Sequence, residues 1–228
     1  MESSENQQHQ KHTEQIVGIS KGEIINRLRF YHTTTPKKWK SIQNIRAILS
    51  EHELLMQGLI STNDLEDFEV TGTGEMDRKI GNDKFVFLST RDVDHGDIIL
   101  EFDHRVLDIP GALVNTAGDY LHFVNDSELE EYYKQSQISA SQYLDFLVHH
   151  LNNLPNPEWF FGLKDGSLDR FLKEALIEKA TKNSTSKFKL FLSLYQEIKI
   201  PDKIPLNYVI KVTRRSKGSN NTPTHIRS

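Results

Sequence analysis

Three short stretches carry side chains able to do chemistry. In Arg29-Phe30-Tyr31-His32-Thr33-Thr34-Thr35-Pro36 an imidazole and three hydroxyls close an apolar strand pattern, immediately before a helix start. In Leu194-Tyr195-Gln196-Glu197-Ile198-Lys199-Ile200 one carboxylate, Glu197, stands in a late apolar run. In Asn82-Asp83-Lys84-Phe85-Val86-Phe87-Leu88-Ser89-Thr90 two aromatic rings alternate toward a hydroxyl at Ser89. An imidazole donates from one nitrogen and accepts at the other, a carboxylate stabilises developing positive charge, and a flat ring stacks on a flat ligand. Each also has an ordinary reading. A Glu on a strand usually faces solvent, and a lone His-x-Thr arises often by chance.

Those side chains need elements to hold them. "IINRLRFYHTT" suits a strand, and Thr35 as N-cap with Pro36 at the first helical position starts the next element. Trp39, Ile42, Ile45, Leu49 and Leu55 recur near a 3.6 period and predict one amphipathic helix ending near Gly58, followed by a short strand, "LIST". Residues 84 to 90 and 97 to 109 read as strands around the turn "DVDHG". Ser127 and Glu130 form a capping box ahead of helical spacing that runs to Leu154, and "SLDRFLKEALIEKATK" is a second patterned helix. "SKFKLFLSLYQEIKI" and "PLNYVIKVTRR" read as closing strands hinged on Pro201 and Pro205. The irregular alternation predicts an α+β protein around a mixed sheet.

With 228 residues, of which 36% are hydrophobic, the chain suits a single domain spanning 16 to 214. Polar residues 1 to 15 and the basic end, 215 to 228, are expected to be disordered, and 62 to 83 to form a mobile loop. The absence of cysteine excludes disulfides, cysteine nucleophiles and zinc-thiolate sites. No apolar run is long enough to span a membrane, and the N-terminus lacks a classical signal pattern. The expectation is a soluble protein, cytoplasmic or secreted into a host cell, with no membrane partner. The net charge of -4 gives no general reason to bind nucleic acid, although Lys203, Lys211, Arg214, Arg215, Lys217 and Arg227 follow the last acid, Asp202.

Other groupings are weaker. Asp94, His95, Asp97, Asp103 and His104 include metal-ligand types, but strand alternation turns the carboxylates in inconsistent directions, and no metal is expected. His149 and His150 stand about 100° apart on a helix and read as its surface. "TGTGE" lacks the following helix of a phosphate-cradling turn. Trp159, Phe160 and Phe161 read as core.

Two of the fragments belong together: His32-x-Thr34, then a helix and Gly58-Leu59; and Glu197, then "IPDKIPLNYVIKV". In order and spacing they resemble the ADP-ribosyltransferase superfamily, in its diphtheria-toxin-like and PARP-like branch with a His, aromatic or small residue, Glu triad. The resemblance implies an antiparallel or mixed split β-sheet core with flanking helices, and NAD as substrate without a metal. It makes Glu197 the catalytic carboxylate, placed beside an oxocarbenium-like ribosyl cation. His32 and Thr34 would hold NAD, the imidazole bonding the adenosine-side ribose through one nitrogen while the main chain holds the other. Phe85, Phe87 or Ser89 would supply the second motif, stacking on nicotinamide or offering a hydroxyl.

The activity implied is mono-ADP-ribosyl transfer to a macromolecular acceptor, protein first and nucleic acid second, as in an effector or toxin. Alternatives on the same scaffold are an arginine ADP-riboxanase, whose "VFF"-like strand "FVFLS" resembles, an RNA 2'-phosphotransferase-like enzyme, or a non-catalytic binding module. Arginine-specific toxins carry Glu or Gln two positions before the catalytic Glu. Here that position is Tyr195, with Gln196 adjacent, so the acceptor stays open. The resemblance requires His32 and Glu197 to meet across one crevice with both side chains turned inward.

Overall fold

A computed structural model of the chain describes residues 18–61, 78, 81–91, 96–117, 131, 135–162, 166–182 and 186–215. The capping box at Ser127 and Glu130, "TGTGE", Asp94, His95, both expected tails up to residues 15 and from 216, and most of the 62–83 loop lie outside these residues.

Ser20 accepts a hydrogen bond from the Glu23 amide and starts helix α1, Lys21–Arg27, where the sequence suggests a strand from Ile24. Leu28 then turns to extended backbone and releases the chain into β1, Phe30–Thr34. Thr35 caps α2, Pro36–Ile45, through the Lys38 amide, as its residue type predicts. The expected single helix to Gly58 does not form. Arg46 takes left-handed backbone (φ 61°) and ends α2, Ala47–Leu49 become strand β2, and Ser50 caps a separate helix α3, Glu51–Met56. The reason is a distant partner: β2 pairs with β8, Lys203–Pro205, and Ile48 and Ile204 are buried against one another's ladder. The described part of "LIST", Leu59 to Ser61, forms no strand.

Strand β3, Phe85–Ser89, and β4, Ile98–Phe102, fall where expected, but β4 stops short because the Asp103 carboxylate accepts from the Arg105 amide and caps a 3-10 turn, His104–Asp108. Then come β5, Leu113–Asn115, and β6, Gln137–Ser139. Helix α4, Ala140–Asn152, α5, Gly166–Lys182, and α6, Ser186–Leu192, follow. Residues 186 to 192 are helical, not extended: Lys187 reaches Glu174 and Glu178 on α5 at 3.7 and 3.2 Å, docking α6 along it. Only Glu197–Pro201 of that predicted strand is extended, as β7. A 3-10 turn leads from β8 to β9, Val209–Arg214.

The described residues form an α+β fold. Seven strands make one sheet in the order β6-β5-β7-β3-β1-β4-β9, and every pairing is antiparallel, not mixed. β3 with β7 and β1 with β4 each register five residue pairs, whereas β1 and β3 share one, Tyr31↔Ser89. The sheet is therefore two half-sheets joined at a seam. One face, carrying Phe30, Leu88, Leu100, Val114 and Ile198, is buried beneath Ile24 and Leu28 of the α1 segment and Tyr143, Leu147 and Leu151 of α4. Trp159 and Phe160 join this core, as their types predicted. No helix among the described residues is long and apolar enough to cross a membrane.

Candidate active site

The register aligns a row of side chains across the sheet. Tyr31 pairs with Ser89, Ser89 with Glu197, and Glu197 with Asn115, while Glu101 lies beyond Tyr31 on β4. Directly paired residues share a face, so this row stands opposite the α4 core. Phe85, Phe87 and Ser89 alternate onto the same face as Glu197 and are all half-buried. Glu197 is half-buried too and opens its strand. The three candidates for the second motif and the candidate carboxylate thus share one surface.

His32 is near but differently turned. It is one residue past Tyr31, and Tyr31 stands two strand spacings, about 10 Å, from Glu197. Pleat alternation places its side chain on the face of Leu88 and Leu100, opposite Glu197. The expectation that imidazole and carboxylate turn toward one another from a common face is corrected here. What makes His32 unusual is the seam. The Thr90 amide donates to the Gln196 carbonyl at 3.0 Å, so the main chain of Thr90 faces β7, and by alternation those of Ser89 and Phe87 face β1. The Phe87 carbonyl points across the seam, and there His32 Nδ1 meets it at 3.1 Å.

A carbonyl can only accept, so Nδ1 carries the proton. Burial holds the ring below its ordinary value, the Phe87 carbonyl opposes this, and the nearby Lys38 ammonium adds to the lowering. The ring is neutral at pH 7, with Nε2 as an acceptor for a hydroxyl. One nitrogen held by the main chain is the arrangement the resemblance implied.

Thr34 is buried, at 5% exposure, and its main chain is closed over by Gly96, where a Cβ would stand 2.5 Å from the Thr34 oxygen. It packs the end of β1 instead of presenting a hydroxyl on an open surface. Ser89 Oγ donates to the Arg91 carbonyl and keeps its lone pairs.

Several groups at the site escaped the sequence reading. Thr90 pins the approach to Glu197: its Oγ1 accepts from the Gln196 amide at 3.0 Å and lies 3.3 Å from the Leu194 carbonyl. Gln196 is fully buried, with its Oε1 taking the Tyr143 hydroxyl from α4. The Arg91 guanidinium stacks 4.9 Å over Tyr195 and donates to Leu194 O, and burial lowers its ordinary value while Tyr195 opposes. Lys199, buried at 4% exposure on the face of Glu197, donates to Asn82 Oδ1 at 2.9 Å and lies 5.9 Å from the Phe87 ring centre. The only hint of it in the sequence was a lysine in the apolar alternation of "EIKIP". Thr90 and Gln196 gave no signal, because they are 106 positions apart and Tyr143 is 53 from Gln196.

Among the described residues no group of three or more His, Cys, Asp or Glu is placed to hold a metal ion. Asp103, one of the metal candidates, is engaged by Arg105 at 2.9 Å. His149 is exposed as expected, but His150 is half-buried against Phe146, contrary to the helix-surface reading. No protein-family model matches the chain, and no curated protein matches its sequence.

Proposed function

We propose that the protein is an NAD-dependent ADP-ribosyltransferase acting on a macromolecular acceptor, with Glu197 as its catalytic carboxylate. The observation that carries this reading is His32 at the seam, turned to the face opposite Glu197 but with Nδ1 on the Phe87 carbonyl and Nε2 left as an acceptor, one residue from Tyr31, which stands two strand spacings from Glu197. A dinucleotide lying through the gap between β1 and β3 would reach both. One lying flat on either face would reach only one of them.

In that pose Nε2 accepts from a ribose hydroxyl, and the Phe85 and Phe87 rings offer flat surface to the nicotinamide. As the bond from nicotinamide to ribose lengthens, positive charge gathers on the ribosyl carbon. A carboxylate on a strand whose preceding residue, Gln196, is tied to Thr90 through its main chain stabilises that charge. With Tyr195 two positions before Glu197, the arginine-selecting pattern is missing, and protein is the first acceptor class to test.

The opposite facing of His32 and Glu197 favours a second reading, a non-catalytic module that grips its partner with the same architecture. One experiment separates the two. The full chain and Glu197→Gln are incubated with biotin-labelled NAD and a cell lysate, and labelled species are identified by mass spectrometry. The transferase reading expects label with the wild type and a loss of about a hundredfold or more in the variant, at similar NAD affinity. No labelling with either protein supports the binding module, and equal labelling removes Glu197 from the catalytic role.

A further inference from the structure

A cavity of about 420 Å³ lies between α4, α6 and the end of β5, walled by Thr116, Gln135, Ser136, Ile138, Phe146, His150, Leu190 and Ser193. Its size falls in the range of small-molecule sites. Among the described residues no carboxylate, ammonium or guanidinium lines it, which favours a neutral guest.

Two of the polar walls share one property. Thr116 Oγ1 donates to the Ser136 carbonyl at 3.0 Å and Ser193 Oγ to the Leu190 carbonyl at 2.6 Å. Each has committed its one proton elsewhere and keeps an acceptor oxygen. His150 is hydrogen-bonded to the Ser193 main chain, and its Nε2 is buried without a partner among the described residues. That ring is stacked on Phe146, with centres 5.2 Å apart and planes 13° apart, which gives the cavity a flat aromatic wall. Ile138 and Leu190 complete an apolar lining.

We propose that this cavity is a binding site for a small, neutral, flat molecule that carries an N–H donor, of the indole type. The flat wall takes the ring, and the acceptor oxygens take the N–H. An acceptor-only ring would set its lone pair against the Thr116 and Ser193 oxygens. The walls also lead to Glu197. Thr116 follows Asn115, the registered partner of Glu197, and Ser193 opens the turn whose Leu194 and Gln196 are tied to Thr90. Occupancy would therefore adjust the placement of Glu197. Only this regulatory consequence rests on the proposed function; binding itself does not.

The test titrates indole, and separately benzofuran, the same shape with an oxygen in place of the N–H, into the full chain by calorimetry and by NMR of the histidine rings. The expected result is saturable indole binding about tenfold tighter than benzofuran, with the His150 signals moving. Leu190→Phe, which fills the cavity, abolishes the binding. Ser193→Ala, which removes one oxygen without adding bulk, weakens indole a few-fold and leaves benzofuran unchanged, and it decides the matter if the larger variant fails to fold. Absence of indole binding at millimolar concentration, equal affinity for both rings, or binding indifferent to both variants would overturn the proposal. If transfer activity is found, indole changes its rate. If none is found, the binding result stands by itself.

Discussion

His32 and His150 make an instructive pair. Both are neutral rings held below their ordinary value chiefly by burial, and both are tied to the main chain of a neighbouring segment, Phe87 for one and Ser193 for the other. They differ in what surrounds the free nitrogen. His32 stands on a strand at the seam, where β1 and β3 share a single registered pair. His150 stands on a helix, stacked on Phe146 beside a cavity. The same local chemistry therefore reads as a polar-ligand site at the seam and as a flat-ligand site under the helix. The setting, more than the residue type, assigns the role.

The comparison can be broken from its strongest side first. Burial lowers the His150 value to about 4, against 6.5 in the unfolded chain. A group whose folded value is depressed in this way binds protons more readily when unfolded. Its contribution to stability is complete above pH 6.5 and is lost as pH falls toward 4, by up to about 3 kcal/mol. His32 acts in the same direction. Denaturant midpoints measured at pH 7, 5.5 and 4 should fall in that order, and His150→Gln should flatten the slope. A wild-type slope that survives in this variant would show that the two rings are not alike.

Next in size is the difference in ligand binding. His32→Ala should weaken NAD by about 1–3 kcal/mol, because a ribose hydroxyl loses its acceptor, and calorimetry should register a drop of about 5- to 150-fold. His150→Ala should leave NAD affinity within about threefold. Equal losses in both would show that the seam has no privileged role. The smallest effect sharpens the contrast by one position: His149 is exposed on the helix surface, so His149→Ala should move the melting midpoint by no more than about 0.5 kcal/mol allows.

What the sequence disclosed was local. Thr35 and Pro36 announced the start of α2, the alternation of Phe85 to Ser89 announced β3, and the apolar run through Glu197 announced β7 but not where it begins. What stayed hidden depended on distant partners. The helical spacing of Trp39, Ile42, Ile45 and Leu49 gives no warning that β8 captures residues 47 to 49, and the alternation of "SKFKLFL" looks extended until Lys187 docks on α5. The candidate site divided along the same line. His32, Glu197 and the aromatic strand were legible by type. Their facing was not, because it follows from register between strands far apart in the chain. Thr90, which holds the approach to Glu197, is invisible for the same reason.

The single rung between Tyr31 and Ser89 has a mechanical consequence. A sheet stitched by five rungs on either side of that line behaves as two stiff plates, and one rung makes a hinge between them. The plate bearing β1, β4 and β9 can swing relative to its neighbour without breaking another ladder bond. On the proposed reading that line is where a dinucleotide would sit, and the hydrophobic layer beneath α4 keeps both plates on one foundation.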